Sequence, residues 1–128
     1  MNTLDFSALV HNYCQLRALP TPALHHGCSC VIVSEDAPPV VLAWDEQHGD
    51  IVIIVPLSEQ AHQLDAQEAY EILCAGYVGQ NLNGAAVGID PATGVLSLWR
   101  RLAGEAASLE RLARDIQHTT TAAQQIGN

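Results

Sequence analysis

The stretch LHHGCSC (24–30) holds the side chains of this chain that are best suited to chemistry. Two histidines and two cysteines fall within six positions, and both residue types are common zinc ligands. If the stretch forms a strand, His26, Cys28 and Cys30 point to one face and His25 points to the other. The pattern therefore raises two hypotheses, a metal site and a thiol site.

Strand geometry counts against the metal site. Positions two apart on a strand are separated by roughly 6.6 Å and positions four apart by roughly 13 Å. A tetrahedral zinc ion needs its ligand atoms within ~4 Å of one another. The chain has no second Cys/His cluster and no C-x-x-C spacing. We therefore interpret the cysteines as small apolar residues of a half-buried strand and expect no metal and no cofactor. A small metalloprotein built on His26, Cys28 and Cys30 stays open as the alternative.

The remaining polar residues show no catalytic pattern. The chain has five arginines and no lysine, so it cannot form a Schiff base and has no phosphate-loop lysine. No serine lies in a G-x-S-x-G elbow. Several carboxylates gather at predicted turns, where solvated turn formers are far commoner than acid–base pairs: Glu35, Asp36, Asp45, Glu46 and Asp50. We expect a protein that is not an enzyme.

Size and charge restrict the class of partner. The 128 residues are 48% apolar, which suits one domain spanning residues 1–128 with one core. The net charge of −9 repels phosphate backbones, so we expect no nucleic-acid partner. The longest apolar run, IVIIVPL (51–57), is shorter than the ~20 residues of a membrane span. The N-terminus does not resemble a secretory signal, so we expect a cytoplasmic protein with reduced cysteines and no membrane partner.

The N-terminal half predicts one helix and three strands. Thr3 is suited to cap the helix, with Asp5 in its first turn, and LPTP (19–22) ends it. Three runs rich in β-branched residues follow and are joined by short polar turns, which favours an antiparallel meander: CSCVIVS (28–34), PVVLAWDE (39–46) and DIVIIVPL (50–57).

The C-terminal half predicts a helix, a hairpin and a last helix. Asp65 and Glu68 have capping-box spacing at the start of a helix over 66–78. Segments 84–90 and 94–102 flank a turn and form the hairpin, and the polar tail from 118 to 128 is expected to fray. The order α-β-β-β-α-β-β-α predicts a single α+β domain with an antiparallel twisted sheet and helices packed on it.

The segment YEILCAGYVGQNLNGAAVGIDPATGVLSLWRRL (70–102) resembles the class I type III secretion chaperones, the family that includes the Tir chaperone. The matching positions are the helix end Leu73, Tyr77, Val78 and Gly79, the small-residue segment Gly84, Ala85, Ala86, Gly88, Ile89 and Asp90, and the strand residues Gly94, Leu96, Leu98 and Arg100. Gly76 departs from the family pattern, which often has asparagine there, and glycine weakens a helix by ~1 kcal/mol relative to alanine.

The resemblance implies a function. Such chaperones bind the N-terminal segment of a type III secreted effector stoichiometrically and without ATP, hold it extended and keep it soluble and competent for export. They act as homodimers in the bacterial cytoplasm, and the secretion ATPase is a further candidate partner. A regulatory protein that uses the same scaffold to sequester a secretion regulator stays open as an alternative.

The resemblance also implies two groups of site residues. Effector contact is expected from the first helix and the first three strands, at Phe6, Leu9, Val10, Tyr13, Val31, Val33, Val41 and Trp44. The dimer interface is expected from the second helix and the hairpin, at Leu73, Tyr77, Val78, Leu82, Leu96, Leu98 and Trp99. Sequence alone leaves open which of these apolar residues belong to the core.

Overall fold

A computed structural model describes residues 1–57, 65–79 and 82–127. Its helices and strands are α1 (Thr3–Leu16), β1 (Ser29–Ile32), β2 (Val40–Asp45), β3 (Asp50–Pro56), α2 (Ala66–Ala75), β4 (Ala86–Ile89), β5 (Leu96–Ala103) and α3 (Leu109–Gly127). Short 3₁₀ turns cover Tyr77–Gly79 and Gly104–Ala106. The predicted α+β order is confirmed.

Helix α1 begins one residue earlier than the sequence suggested. Asn2, not Thr3, is the capping residue, with an extended backbone at φ −132°. The Asn2 side chain accepts a hydrogen bond from the Asp5 backbone N–H at 2.9 Å, and the Asp5 carboxylate accepts one from the Asn2 N–H at 3.0 Å. This reciprocal capping box satisfies two backbone donors that would otherwise lack partners at the helix start.

The five strands form one antiparallel sheet in the order β1-β2-β3-β5-β4. Its central strand β3 is apolar on both faces, but the described residues cover only one of them. Ile51, Ile53 and Val55 are buried, while Val52 and Ile54 between them are partly exposed. The buried face, called the inner face here, packs against α1 and α3. The opposite face is called the outer face.

Helix α3 continues through the segment that was expected to fray. Thr119, Ala122 and Ala123 are buried against the core. The Thr119 hydroxyl donates to the Asp115 carbonyl at 2.8 Å and accepts from Arg100 Nε at 2.9 Å. The prediction of a frayed tail from residue 118 is therefore wrong up to Gly127, because small side chains let the helix pack closely and an arginine of β5 ties it to the sheet.

Gly76, the departure from the family pattern, is explained by packing. It ends α2, and a Cβ atom at this position would lie 3.2 Å from both Leu82 Cδ1 and Val87 Cγ2. That distance is tighter than most real Cβ contacts, so a larger residue would require Leu82 and Val87 to shift by a few tenths of an ångström. Glycine therefore permits the close approach of these two elements.

Leu98→Ala should lower the free energy of unfolding by about 2–5 kcal/mol, because Leu98 is fully enclosed in the core and alanine would leave a cavity. Urea denaturation at a fixed protein concentration measures the change. Ser97→Ala, next to it on the partly exposed face, is the control and should alter stability by about 0.5 kcal/mol or less. Unchanged stability in Leu98→Ala would contradict its place in the core.

Candidate functional site

The outer face of the sheet is apolar and is not covered by any described part of the chain. Its exposed and half-buried side chains come from four neighbouring strands, with Val31, Val41, Ala43, Val52, Ile54, Pro56 and Trp99 as the apolar members. A groove of about 560 Å³ runs over this face and is bounded at one side by the β4–β5 turn with Asp90 and Pro91. Exposed apolar patches of this kind are typical of interaction surfaces.

A group of ion pairs closes one end of the outer face. Arg101 Nη1 lies 2.9 Å from Asp45 Oδ2 and 3.5 Å from Asp50 Oδ2, and His48 Nδ1 lies 2.7 Å from Asp45 Oδ2. The hydrogen bond from Arg101, followed by the one from His48, lowers the pKa of Asp45 to about 2. The bond to Asp45 correspondingly raises the pKa of Arg101. These charges fix the β2–β3 turn against β5.

The low pKa of Asp45 predicts how stability depends on pH. Because this pKa is about 2 in the folded chain and 3.8 is the usual value, the pair stabilises the fold above about pH 4 and loses this effect as pH falls toward 2. Asp45→Asn should therefore unfold at a lower temperature than wild type at pH 6, and the two should converge near pH 2. Differential scanning calorimetry across this range measures both. A difference that stays constant down to pH 2 would contradict the assignment.

Strand β1 lies at one edge of the sheet and keeps part of its backbone unpaired within the described chain. Trp44 N–H donates to the Cys28 carbonyl at 2.7 Å, which sets the alternation of hydrogen-bonded pairs along β1 and β2. By that alternation the N–H and C=O groups of Val31 point away from β2. Val31 and Val33 are 49% and 66% exposed. We call this stretch the β1 edge.

The start of β1 is already occupied, which defines where the β1 edge begins. His25 N–H donates to the Ser29 carbonyl at 2.7 Å, and these two residues form an isolated antiparallel bridge. The chain thus folds back over the outward carbonyl of Ser29. The unpaired groups of the edge begin beyond this residue.

Helix α2 has no buried residue although it carries large apolar side chains. Tyr70, Leu73, Tyr77 and Val78 are 64% to 81% exposed, and together they form what we call the α2 patch. Val78 also has φ +48°, a left-handed conformation that a β-branched residue rarely adopts. The monomer alone therefore gives this helix little of the burial that normally stabilises an amphipathic segment.

The structure divides the residues expected to contact an effector. Phe6, Val10, Tyr13 and Trp44 lie in the core, with Phe6 and Trp44 stacked at 6.4 Å between ring centroids. This corrects the expectation for these four, because their side chains fill the core and none of them is more than 7% exposed. Leu9 packs at the rim of the core and is half-buried.

The other three expected contact residues lie where a ligand can reach them. Val31 and Val33 belong to the β1 edge, and Val41 lies on the outer face beside Val31. The alternation of side chains along β1 and β2 was a sufficient signal for these positions. Val52 and Ile54 extend the same face, and sequence reasoning did not select them because β3 is apolar at every position from Ile51 to Val55.

The residues expected at a dimer interface divide in the same way. Leu82, Leu96 and Leu98 are buried in the monomer, which corrects the expectation for these three. Leu82 and Leu98 belong to the core cluster, and Leu96 is only 5% exposed, so none of the three offers surface to a partner. Leu73, Tyr77 and Val78 are exposed in the α2 patch, and Trp99 is 36% exposed on the outer face. Tyr70 was not selected, although its exposure equals that of Leu73 to within one percentage point.

The Cys/His stretch does not assemble into a site. Cys28 Sγ lies 3.6 Å from the His25 carbonyl, Cys30 is buried, and burial raises the pKa of the Cys30 thiol to about 11. His26 has φ +53° in the tight turn before β1 and is exposed. Within residues 1–57, 65–79 and 82–127, no group of three His, Cys, Asp or Glu side chains could hold a metal ion. The metalloprotein alternative therefore gains no support from geometry.

None of the helices in the described part of the chain combines the length and apolar character needed to cross a membrane. No curated protein is significantly similar to the chain in sequence.

Comparison with solved structures identifies the fold. The chain is similar to the protein in "Structure of the HopA1-SchA Chaperone-Effector Complex", with 17% identity, a TM-score of 0.78 and coverage of 98% of this chain and 94% of that one. It is similar to the protein in "Crystal Structure of the ExsC-ExsE Complex", with 14% identity, a TM-score of 0.78 and coverage of 95% and 90%. A third similar structure is that of the Yersinia pestis type III secretion chaperone SycH in complex with a stable fragment of YscM2, with 17% identity, a TM-score of 0.67 and coverage of 94% and 98%.

The sequence itself matches a family over nearly its whole length. The sequence model of the Tir chaperone protein (CesT) family aligns with residues 9–126. This match runs from the second turn of α1 to Ile126, one residue before α3 ends, and thus includes every strand of the sheet. The chain belongs to the Tir chaperone protein (CesT) family.

Proposed function

We propose that this protein is a type III secretion chaperone that binds the N-terminal segment of a secreted effector in extended form. The observation that carries the proposal is the β1 edge, where outward backbone groups lie beside exposed Val31 and Val33. An added strand from the effector would pair with these groups, and its apolar side chains would lie beside Val31. Backbone pairing supplies affinity with little dependence on sequence, which suits a chaperone.

Binding of this kind requires no bond-making chemistry and no ATP. The family resemblance points to stoichiometric binding. All five basic residues of the chain are arginines, so the lysine that holds a nucleotide phosphate in phosphate-binding loops is missing. The bound segment would be kept from aggregating because its apolar side chains are covered and its strand edge is paired. The net charge of −9 would keep the complex soluble.

The site of action that fits this role is the bacterial cytoplasm, before the effector reaches the export apparatus. There the chaperone would hold the segment unfolded until it is handed over, and the secretion ATPase is the partner we propose for that release.

We further propose that two copies of the chain form a homodimer. The outer face and the α2 patch are both apolar, and neither is covered by the described chain. A strand added at β1 would lie beside Val31 but would not reach Trp99, which is three strands away on β5. A two-fold axis would let the same surfaces cover each other in both copies.

The proposal is tested with the effector that co-purifies with the tagged chaperone from cells that carry a type III secretion system. Hydrogen exchange followed by mass spectrometry, with and without that effector, should show slowed exchange of the backbone amides in the peptide containing Val31 and Val33. The peptide containing Ile53, in the central strand, is the internal control and should exchange slowly in both states. A bound effector that leaves exchange at the β1 edge unchanged would refute strand addition there, and release by ATP alone would contradict ATP independence.

A further inference from the structure

We infer that the cavity at the end of β1 receives a lysine or arginine side chain of the bound segment. The inference rests on the proposed function and specifies that the effector residue following the bound strand is basic. The cavity measures about 220 Å³ and lies between the end of α1, the β1–β2 turn and α3. Ile32 and Ser34, at and just after the end of β1, form part of its wall, so it is continuous with the β1 edge.

The walls and the rim of this cavity suit a long side chain with a charged tip. Leu19, Ile32, Val40 and Ile116 supply the apolar part of a lining that also holds the polar α3 residues Gln117, Thr120, Thr121 and Gln124, and an aliphatic stem can pack on that part. Asp36, an exposed residue of the β1–β2 turn, lies in the lining and can meet the charged tip. A segment paired with Val31 and Val33 in parallel orientation would bring its next residues to this opening.

Two carboxylates of the β1–β2 turn, one of them in the cavity lining, favour a cation over an anion as the ligand. Glu35 and Asp36 stand together on the turn, and both are exposed. The ion pairs among the described residues use other carboxylates, Asp45, Asp50 and Asp115. These two therefore keep their negative charge available to a ligand. The net charge of the chain, −9, attracts basic segments in the same direction.

Arg17, at the end of α1, is the opposing charge in the lining. It belongs to the helix side of the cavity, whereas Asp36 belongs to the turn that follows β1. The far end of β1 differs as well, since it carries the exposed pair His25 and His26. A basic residue is thus favoured beside the turn, and Arg17 should weaken its binding slightly. Removing Arg17 and removing Asp36 should have opposite effects.

Three dye-labelled peptides with capped termini provide the test. Each contains the strand Val-Thr-Val-Thr-Val, followed by two lysines, two glutamates or two serines, and fluorescence anisotropy measures their dissociation constants at low salt. The lysine peptide should bind about five- to tenfold more tightly than the serine peptide and the glutamate peptide more weakly than either, with the differences shrinking in high salt.

Two variants test whether the preference for the lysine peptide arises at the cavity. Asp36→Asn should remove most of the lysine preference, and Arg17→Gln should increase it. Glu105→Gln, an exposed carboxylate in the turn before α3, is the matched control and should leave the preference intact. Equal binding of the three peptides, or a preference that survives Asp36→Asn, would overturn the inference while leaving strand addition in place. Binding of none of the peptides would count against the proposed function, and against the inference with it.

Discussion

Val31→Pro is expected to weaken effector binding about tenfold to a hundredfold while the chain remains folded. The Val31 N–H points away from β2, so proline removes a donor that only an added strand would use. It would also leave a carbonyl of the effector buried without a partner, which costs about 1–3 kcal/mol beyond the lost hydrogen bond. Proline is tolerated on edge strands because the internal ladder keeps its bonds. Isothermal titration with the co-purified effector measures the change.

Two controls separate this effect from loss of structure. Val31→Thr keeps the N–H and the β-branched shape, so it should bind nearly as well as wild type. Ile32→Pro removes the N–H that faces β2 and alters a buried position, so it should destabilise the fold itself. If Val31→Pro binds the effector as wild type does and is equally stable, the effector is not held as an added strand at this edge.

Tyr77→Asp is expected to convert the proposed dimer into folded monomers. Tyr77 is 70% exposed in the monomer, so an aspartate costs little there, but it would place an unpaired charge in the interface. We expect a loss of about 3 kcal/mol of association free energy, which is roughly a hundredfold in the dissociation constant. Sedimentation equilibrium or light scattering at micromolar concentration measures it, and helical circular dichroism should stay largely unchanged.

The matched control for this variant is Gln67→Asp, which adds the same charge to an exposed position on α2 outside the α2 patch. It should leave the dimer intact. A wild-type chain that is monomeric at micromolar concentration would contradict the homodimer. Loss of all folded signal in Tyr77→Asp would instead show that Tyr77 contributes to the stability of the monomer.

Together these variants test whether the β1 edge binds the effector and whether the β5 end of the sheet, with α2, forms the dimer interface. The β1 side offers unpaired backbone and a few valines, which suits a ligand whose sequence varies. The β5 side and α2 offer large apolar side chains, Trp99 and Tyr77 among them, which suits a fixed partner. The ion pairs of Arg101 with Asp45 and Asp50 hold one end of the face between them.

The sequence by itself was enough to predict the order of the elements and the α+β class. Alternation in VVLAWD and the β-branched run IVIIV indicate strands because side chains of a strand alternate between faces. Phe6, Val10 and Tyr13 are spaced by four and three residues, which indicates the helix α1 because residues at this spacing lie on one face of a helix. The segment around Gly84 and Asp90 carried the family resemblance, because small residues and a tight turn restrict which sequences fit there.

The tertiary structure alone decided which apolar residues are core and which are surface. A local pattern shows that one face of an element is apolar, but not what covers that face, so Phe6 and Tyr77 looked equivalent although one is fully buried and the other exposed. The same limit applies to the polar C-terminal part of α3, where Arg100 of β5 donates a hydrogen bond to Thr119. It also applies to Asp45, whose partner Arg101 is 56 residues away in the sequence. Contacts between residues far apart in the chain depend on how the elements pack, and packing is a property of the whole fold.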